Sequence, residues 1–265
     1  MRPPATLPAT GFNEVASCRS GIMLFPRHDM YVGASLRKYG EFSPGERVLF
    51  ETIIRPRMVV LEIGANIGAH TVELARLVGT GGKVFAYEPQ PLIFQVLCAN
   101  LALNSCDNVR AFQTAIGAHE GSIKVPLLAP DRPNNYGGLS LSAQSVGEDV
   151  PMRRIDDLGL PHCHVIKLDL EGMEVEALLG AAATIRRDRP ILYVEDDREA
   201  RSAELRALLH DYGYRAYLHE PPLFEPHNFA GDPENLWPGV VSRNLLCLPA
   251  ERGIVVNGLA EVDLK

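Results

Sequence analysis

The stretch Leu61-Glu62-Ile63-Gly64-Ala65-Asn66-Ile67-Gly68 decides the fold of this chain, because it joins two segments with different hydrophobic periods. Before it, residues 58–63 form a short and almost continuous apolar run, which is typical of a strand buried on both faces. After it, residues 69–78 are predicted to form a helix that ends at Gly79. A strand, a glycine-bearing turn and a helix are the unit from which parallel sheets are built.

The alternation of strands and helices continues along the chain. Further strands are predicted at 83–87, 109–114, 164–170 and 191–195, and further helices at 91–103, 175–185 and 198–212. We therefore expect an α/β fold, with a mostly parallel sheet that is covered by helices on both faces. The last two predicted strands, 214–218 and 245–248, have no helix between them and should pair antiparallel at an edge of the sheet.

The remaining segments are less regular. Scattered glycines and prolines predict that the lead-in, up to about residue 50, is irregular or weakly helical. Strands at 121–128 and 150–155 are expected to form a hairpin-like pair, and 220–239 is predicted to be a long surface loop. We assign a lead-in that packs on or lids the site to 1–50, the α/β domain to 51–250 and a C-terminal tail to 251–265.

The composition argues against several classes of partner. Of the 265 residues, 46% are hydrophobic and 22% are charged, and the formal net charge is -7. Nucleic-acid binding usually needs a basic face, so we expect no nucleic-acid partner. No apolar run reaches the roughly 18 to 20 residues of a membrane-spanning helix, and the N-terminus lacks the apolar core of a secretion signal, so we expect a cytoplasmic protein without a membrane partner. The five cysteines show no Cys-x-x-Cys spacing, which argues against the usual zinc sites and a disulfide framework.

The residues around the first turn fit a nucleoside that carries an amino acid. Gly64 permits a tight turn and a close approach of the backbone to a ligand, and Gly68 lets the helix start against the strand. Glu62 places a carboxylate where it suits an ammonium group, and free N–H groups at the start of the helix favour a ligand carboxylate. Glu88, at the end of the second strand, can accept hydrogen bonds from both hydroxyls of a ribose. The alternative for Glu88 is a solvated residue at the end of a strand.

A dinucleotide-binding turn is the main competing interpretation. It requires the pattern Gly-x-Gly-x-x-Gly. Here the position two residues after Gly64 is Asn66, whose side chain would crowd a pyrophosphate. An NAD-dependent oxidoreductase is therefore the less favoured alternative.

Together with motifs further along the chain, this turn resembles that of the FkbM-type methyltransferases. The most specific match is the run Lys-Leu-Asp-Leu-Glu-Gly-Met-Glu at 167–174, since many methyltransferases share the first turn. The resemblance extends over about residues 29–249. The matching segments are 60–68, 87–89, 167–174, 179–181 and 189–195, with 29–32 and 40–42 upstream and 242–245 downstream.

The resemblance implies a Rossmann-like class I methyltransferase fold, with seven mostly parallel strands and an antiparallel last strand. It also implies S-adenosyl-L-methionine as the methyl donor and a hydroxyl of a small molecule or saccharide as the acceptor. Asp169 and Glu171 would lie beneath the methionine moiety or the acceptor, and Thr114 and Ala115 near the adenine. The donor-binding residues that it implies are Glu62, Gly64, Ala65, Asn66, Gly68, Glu88, Pro89, Thr114, Ala115 and Asp169.

Methyl transfer to a hydroxyl needs a group that removes the hydroxyl proton. The candidates for this base are Asp169, Glu171, His70 and His219. The two acids follow the strand at 164–170, whereas His70 opens the first helix and His219 borders the long late loop. A packed or solvated histidine is the structural alternative for His70 and His219, and the sequence does not choose among the four.

An acidic triplet, 195–197, follows the predicted strand at 191–195. With Asp169 it is similar to the metal cluster of catechol-type O-methyltransferases, which would suit Mg²⁺. The triplet begins inside the strand, however, and Asp197 fits an ordinary helix N-cap, so no metal ligand is assigned. The loop at 134–140 is interpreted either as an acceptor-side loop or as a plain turn.

Two further points stay open at the level of the sequence. A donor-binding protein that keeps the fold but does not catalyse the reaction is the second hypothesis, against which the intact turn and Glu88 argue. The sequence also leaves a homodimer open and does not name the acceptor.

Overall fold

A computed structural model of the chain describes residues 6–7, 11–141 and 144–265. The strands are β1 (Thr6–Leu7), β2 (Asn13–Cys18), β3 (Gly21–Pro26), β4 (Val59–Ile63), β5 (Lys83–Tyr87), β6 (Val109–Phe112), β7 (Ala115–Ile116), β8 (Gly121–Val125), β9 (Glu148–Arg153), β10 (Val165–Leu168), β11 (Ile191–Glu195), β12 (Tyr214–His219), β13 (Asn244–Pro249) and β14 (Ala260–Val262). The α-helices are α1 (Val32–Tyr39), α2 (Pro44–Ile53), α3 (Thr71–Val78), α4 (Pro91–Leu103), α5 (Glu174–Leu179), α6 (Ala182–Asp188) and α7 (Glu199–Asp211). None of the helices in these described ranges combines the length and the apolar character that a membrane span needs.

An eight-stranded sheet forms the centre of the molecule, in the order β14-β12-β13-β11-β10-β4-β5-β6. The strands from β11 to β6 in this order pair in parallel, and β13 is antiparallel to both of its neighbours. The chain order reverses at β4, which has β5 on one side and β10 on the other. Because ligands in such sheets bind beyond the carboxyl ends of the strands at this reversal, the fold itself predicts where the site lies.

Helices cover both faces of the sheet, as the nearly continuous apolar runs of its strands predict. Along β4, Val60 belongs to one apolar core, whereas Leu61 and Ile63 belong to the other. The first core includes side chains of α2, α3 and α4, and the second includes those of α5, α6 and α7. The predicted α/β architecture is therefore confirmed.

The lead-in was predicted to be irregular or weakly helical; its described part does contain helices, but it also contains strands that were not predicted. β2 and β3 form a hairpin to which β1 adds, and α1 and α2 follow. The glycines and prolines end these elements rather than prevent them: Gly40 closes α1 with φ of 68°, and Pro44 begins α2. Asn100 on α4 fixes β3 in place, since its side chain accepts a hydrogen bond from the N–H of Leu24 at 2.6 Å and donates one to its carbonyl at 2.9 Å.

The C-terminal tail contributes an eighth strand, β14, which was not predicted from the sequence. β14 pairs antiparallel with β12, and an ion pair between Arg215 and Glu261 at 2.7 Å joins the two strands. The expectation of seven strands is therefore corrected to eight. The predicted antiparallel pairing of the last two strands, β12 with β13, is confirmed.

Two internal boundaries differ from the prediction. The helix expected at 175–185 is divided at Gly180 into α5 and α6, and a Cβ at Gly180 would lie 2.2 Å from the backbone oxygen of Gly117. The third predicted strand ends at Phe112, after which β7 leaves the main sheet and joins a second one in the order β7-β9-β8. Within that sheet β8 and β9 pair antiparallel, as predicted.

Candidate active site

A cleft of about 220 Å³ opens at the carboxyl ends of β4 and β10. Its floor comes from the turn after β4 and from the residues that follow β5 and β10. Its walls come from the lead-in, from the loop at 135–141 and from the end of the late loop. The predicted site residues that line it are Glu62, Gly64, Ala65, Asn66, His70, Glu88, Pro89, Asp169 and Glu171.

Gly64 is required by a close approach of two backbone segments. Its φ is +81°, and a Cβ there would lie 1.8 Å from the carbonyl oxygen of Asp169. The N–H groups of Gly64 and Ala65 both donate to the carbonyl of Tyr87 at 3.0 Å. The turn after β4 is thereby fixed to both neighbouring strands, β5 and β10. Gly68 does not line the cleft. Its φ is +84°, and a Cβ there would lie 2.7 Å from the side chain of Leu97, which explains why glycine occurs at this position.

Asn66 and the N–H groups of the turn are used within the turn itself. The N–H of Asn66 donates to Glu88 Oε2 at 2.9 Å, and the side chain of Asn66 accepts a hydrogen bond from the N–H of Ile67 at 2.7 Å. The N–H groups of residues 64–68 are therefore not available to a ligand, and the prediction of free N–H groups applies only at the start of the helix. Of the N–H groups that precede α3 and line the cleft, those of Ala69 and His70 have no acceptor among the described residues.

Glu88 is a buried carboxylate, with 3% of its surface exposed. Its two oxygens accept hydrogen bonds from the N–H groups of Asn66 and Gln90, each at 2.9 Å. Burial raises the pKa of Glu88 to about 7, against the opposing effect of these two hydrogen bonds. The alternative of a solvated strand-end residue is therefore wrong.

Glu62 is also buried, with 1% of its surface exposed, and its Oε2 atom has no hydrogen-bond partner among the described residues. Burial raises its pKa, whereas the nearby Lys167 and the hydroxyl of Thr71 lower it. The Thr71 hydroxyl is close to Glu62 but itself has no hydrogen bond of acceptable geometry among the described residues. A buried carboxylate oxygen without a donor is costly for a folded protein. The arrangement therefore fits a cationic ligand group that would complete the hydrogen bonding of Glu62.

Three carboxylates meet on the opposite side of the cleft floor. Asp169, Glu171 and Glu195 can each place an oxygen within 4.8 Å of the others. Two of them already have cationic partners, since Lys167 donates to Asp169 at 3.0 Å and Arg198 forms an ion pair with Glu171. Burial, followed by the charge of Asp169, raises the pKa of Glu171 to about 8.

The acidic triplet at 195–197 is divided by the fold. Glu195 faces the cleft, whereas Asp196 is turned towards Arg206, with which it forms an ion pair at 2.8 Å. The cluster therefore contains Asp169, Glu195 and Glu171, whereas the likeness to a metal cluster noted in the sequence had included Asp196 and Asp197 in place of Glu171. Neighbouring residues of a strand point to opposite faces, which is why the triplet does not act as one group.

His70 and His219 belong to one hydrogen-bonded chain. Nε2 of His70 lies 2.8 Å from Glu46 Oε2, and the hydroxyl of Tyr193 donates to Glu46 Oε1 at 3.0 Å. Nδ1 of His219 lies 2.9 Å from that hydroxyl. His70 lines the cleft, whereas His219 reaches it only through Tyr193 and Glu46. Glu46 and Tyr193 could not be identified from the sequence, since an acid in the first turn of a helix and a tyrosine in an apolar strand are both ordinary.

Thr114 and Ala115 are not among the residues that line the cleft. The chain leaves the main sheet at Phe112, and Ala115 pairs with Met152 in the second sheet instead. The loop at 135–141 lines this side, where the side chain of Gln90 donates to the carbonyl of Tyr136 at 2.7 Å. The loop was interpreted either as an acceptor-side loop or as a plain turn. Its position in the wall of the cleft agrees with a loop beside the site.

The reversed sheet order, the glycine turn and the two buried carboxylates define a class of nucleoside-binding α/β proteins that includes the methyltransferases. Within that class, the sequence model of the Methyltransferase FkbM domain matches residues 62–216, which is more than half of the chain. The chain therefore belongs to the Methyltransferase FkbM domain family, and the resemblance seen in the sequence is confirmed.

Individual relatives are more distant. The chain is 26% identical over 154 residues to methyltransferase sdnD of Sordaria araneosa, covering 46% of this chain and 59% of that protein. It is 32% identical over 108 residues to protein-L-isoaspartate O-methyltransferase of Methanocella arvoryzae, covering 41% of this chain and 51% of that protein. The chain thus matches between about half and three fifths of the length of these relatives. The crystal structure of Trm5b from Pyrococcus abyssi is similar in fold, with a TM-score of 0.50 at 12% identity, covering 93% of this chain and 62% of that one.

Proposed function

We propose that this protein is an S-adenosylmethionine-dependent methyltransferase that methylates a hydroxyl oxygen of a small molecule or saccharide. The observation that carries the proposal is the pair of buried carboxylates, Glu62 and Glu88, on either side of the Gly64 turn. Glu62 has an oxygen without a hydrogen-bond donor among the described residues, and Glu88 is held in the cleft by the N–H of Asn66, where we propose that it binds the ribose. Membership of the FkbM family supports the same donor.

The ammonium, carboxylate and ribose groups of the donor would each have a partner among these residues. Glu62 would bind the ammonium group, and the N–H groups of Ala69 and His70 would receive the carboxylate. Glu88 retains lone pairs for the ribose hydroxyls, since its oxygens accept only one described hydrogen bond each. When bound, S-adenosylmethionine supplies a methyl group that is activated by its attachment to a positively charged sulfur. The acidic residues Asp169 and Glu171 favour positive charge at this part of the cleft.

The acceptor would enter between the lead-in and the late loop. Val32, Phe42 and Val241 give this part of the cleft apolar walls, and Tyr31 extends them by stacking on Trp237 with 5.8 Å between ring centroids. Such walls suit the apolar face of a sugar or another small hydroxylated molecule. The carboxylates of the floor would repel a phosphodiester backbone, so we propose no nucleic-acid acceptor.

Oxygen is favoured over nitrogen as the acceptor atom because the cleft contains a histidine that can take a proton, His70. One relative is named as an O-methyltransferase. No divalent cation is included in this proposal, since Lys167 and Arg198 already pair with Asp169 and Glu171, two of the three clustered carboxylates.

The test is an acceptor panel with a donor that carries an isotopically labelled methyl group. Sugars and small hydroxylated compounds are compared with matched amines, with and without EDTA, and the products are identified by mass spectrometry. We expect a labelled ether in at least one hydroxylated compound, formed equally well with EDTA. Labelled amines alone would overturn the choice of oxygen. Donor binding without turnover on the whole panel would favour the donor-binding protein that does not catalyse the reaction.

A further inference from the structure

Glu46 is a buried carboxylate at the centre of the acceptor side. It lies in the first turn of α2, and 3% of its surface is exposed. Four side chains from other parts of the fold lie within hydrogen-bonding distance of it. They are His70 just before α3, Tyr193 on β11, Ser242 just before β13, and Asn244 at the start of β13.

The two oxygens of Glu46 have different partners. Oε2 is bonded to Nε2 of His70 at 2.8 Å. Oε1 accepts from the hydroxyl of Tyr193 at 3.0 Å, from the amide of Asn244 at 3.1 Å and from the hydroxyl of Ser242 at 3.4 Å. The carboxylate is therefore held in one orientation, with Oε2 towards the histidine.

We infer that Glu46 is a positioning residue, which holds His70 as the tautomer that can take the proton of the acceptor hydroxyl. This inference rests on the proposed transfer of a methyl group to oxygen. Its first support is chemical: an ionised carboxylate only accepts hydrogen bonds, so Nε2 of His70 must carry the proton of the bond to Glu46. In neutral His70 the lone pair is then on Nδ1, which has no hydrogen-bond partner among the residues that the structure describes.

The charge of Glu46 is maintained by its surroundings. Burial opposes ionisation, but the positive charge of a protonated His70, the hydrogen bond from its ring and the more distant Lys167 outweigh it and lower the pKa of Glu46 to about 2. When His70 is neutral, the donors to both oxygens of Glu46 still favour the ionised form. The ring of His70 is also confined by packing, since the rings of Phe42 and Phe50 lie with their centroids 5.6 Å and 5.4 Å from it.

The step that this arrangement serves is balanced. The acceptor oxygen forms a bond to the methyl carbon, the electron pair of the broken carbon–sulfur bond stays on sulfur, and the hydroxyl proton passes to Nδ1 of His70. The imidazolium that results is stabilised by the ionised Glu46 on its other side. Glu46 itself touches neither the donor nor the acceptor in this account and acts only through His70.

The substitution Glu46→Gln tests the inference through the tautomer of His70. Glutamine has one acceptor oxygen, and three donors compete for it on the Oε1 side against one on the Oε2 side. The amide nitrogen should therefore face His70, whose Nε2 must then accept, and the proton moves to Nδ1. Nitrogen-15 NMR of histidine-labelled protein should show the Nε2–H form of His70 in the wild type and the Nδ1–H form in E46Q. The same tautomer in both proteins would overturn the inference.

Kinetics with an acceptor from the panel give a second readout. E46Q should lower kcat roughly 100-fold with little change in the KM of the donor, because general bases typically contribute about 10² to 10⁴ in rate. In a His70→Ala background the same substitution should have no further effect, since residues that act as a unit are not additive. Additive losses, or a loss confined to KM, would contradict the inference.

Glu41→Gln is the matched control. Glu41 is a second buried carboxylate of the lead-in, but its partners are Arg19 and the N–H of Phe229. This variant should keep the wild-type tautomer of His70 and the wild-type kcat per folded molecule. Titration with S-adenosylhomocysteine separates the two proposals: if the wild type does not bind it, the proposed function fails, whereas normal binding with an unchanged tautomer in E46Q defeats only the role of Glu46.

Discussion

The two sides of the cleft are built in different ways. On the donor side, the hydrogen bonds of the turn join parts of the chain that are close in sequence: the N–H of Asn66 bonds to Glu88, 22 residues away. The more distant strand β10 adds the backbone of Asp169, through the regular pairing of parallel strands. On the acceptor side, Glu46 bonds to Tyr193 and Asn244, which are 147 and 198 residues away. The donor side therefore follows from one strand-turn-helix unit and the two strands that pair with it, whereas the acceptor side exists only when the lead-in and the late strands have packed together.

This difference suggests that the two sides respond differently to substitution. A change in the donor turn acts on a rigid backbone with few alternatives, so its effect on donor binding should be large and local. A change among the acceptor-side residues should leave donor binding intact. The following predictions test this division, beginning with the largest expected effect.

Gly64→Ala should destabilise the protein by about 4 kcal/mol and abolish donor binding. The new Cβ would lie 1.8 Å from the carbonyl oxygen of Asp169, so that strain at positive φ is added to a forced displacement of two strands. The control is Gly253→Ala, where φ is +60° in the left-handed helical region and no atom lies within 4 Å of the added Cβ. Urea unfolding should show a loss of only about 1 kcal/mol for the control. Equal losses in the two variants would break the argument that the turn is fixed by close backbone packing.

Glu88 should make the stability of the protein depend on pH. Its pKa is raised from the ordinary 4.5 to about 7 by burial, so the native state keeps a proton that the unfolded chain has already released between these values. Rising pH therefore favours the unfolded state through this group, and its contribution to stability is lost as pH passes through about 7. Relative to the wild type, Glu88→Gln should gain about 3 kcal/mol in unfolding free energy between roughly pH 4 and pH 8. If the difference in unfolding free energy between the two proteins does not change with pH, the pKa of Glu88 is not raised in the native state.

Glu62→Gln should separate binding from stability. We expect donor binding to weaken by about 2 kcal/mol, while stability stays equal or rises, because Glu62 Oε2 has no partner among the described residues. Glu174→Gln is the matched control, since that buried carboxylate accepts from the N–H groups of Leu170 and Gly172 and lies outside the cleft. The control should lose stability and keep its donor affinity, as measured by calorimetry and thermal unfolding. Unchanged donor affinity in Glu62→Gln, with weaker donor binding in Glu174→Gln, would contradict the proposal that Glu62 binds the ammonium group.

The parts that could be predicted from the sequence are those that depend on local order. The apolar run before Gly64, the period of the following helix and the acid at Glu88 specify the turn and its sheet without knowledge of distant residues. The strands from β4 to β13, except β7, could be predicted in the same way, because each is bounded by its own turn residues. The family could be recognised from the run at 167–174, which extends from the end of β10 to the start of α5.

The parts that could not be predicted depend on pairing between distant segments. Nothing in the sequence near Glu46 indicates that its partners are Tyr193 and Asn244, since its burial arises only from their packing. The glycines and prolines of the lead-in look like breaks in periodicity, although Gly40 and Pro44 mark the end of one helix and the start of the next. The eighth strand was missed for the same reason, because β14 is short and becomes a strand only beside β12.

The most direct test of the account is calorimetric titration of the purified protein with S-adenosylmethionine. We predict saturable binding at one site, weakened by about 1 to 3 kcal/mol in Glu88→Ala and unchanged in Glu46→Gln, because only the first residue belongs to the donor side. No heat and no thermal stabilisation at millimolar donor, or binding that Glu88→Ala leaves unaltered, would contradict the assignment of this cleft as the donor site.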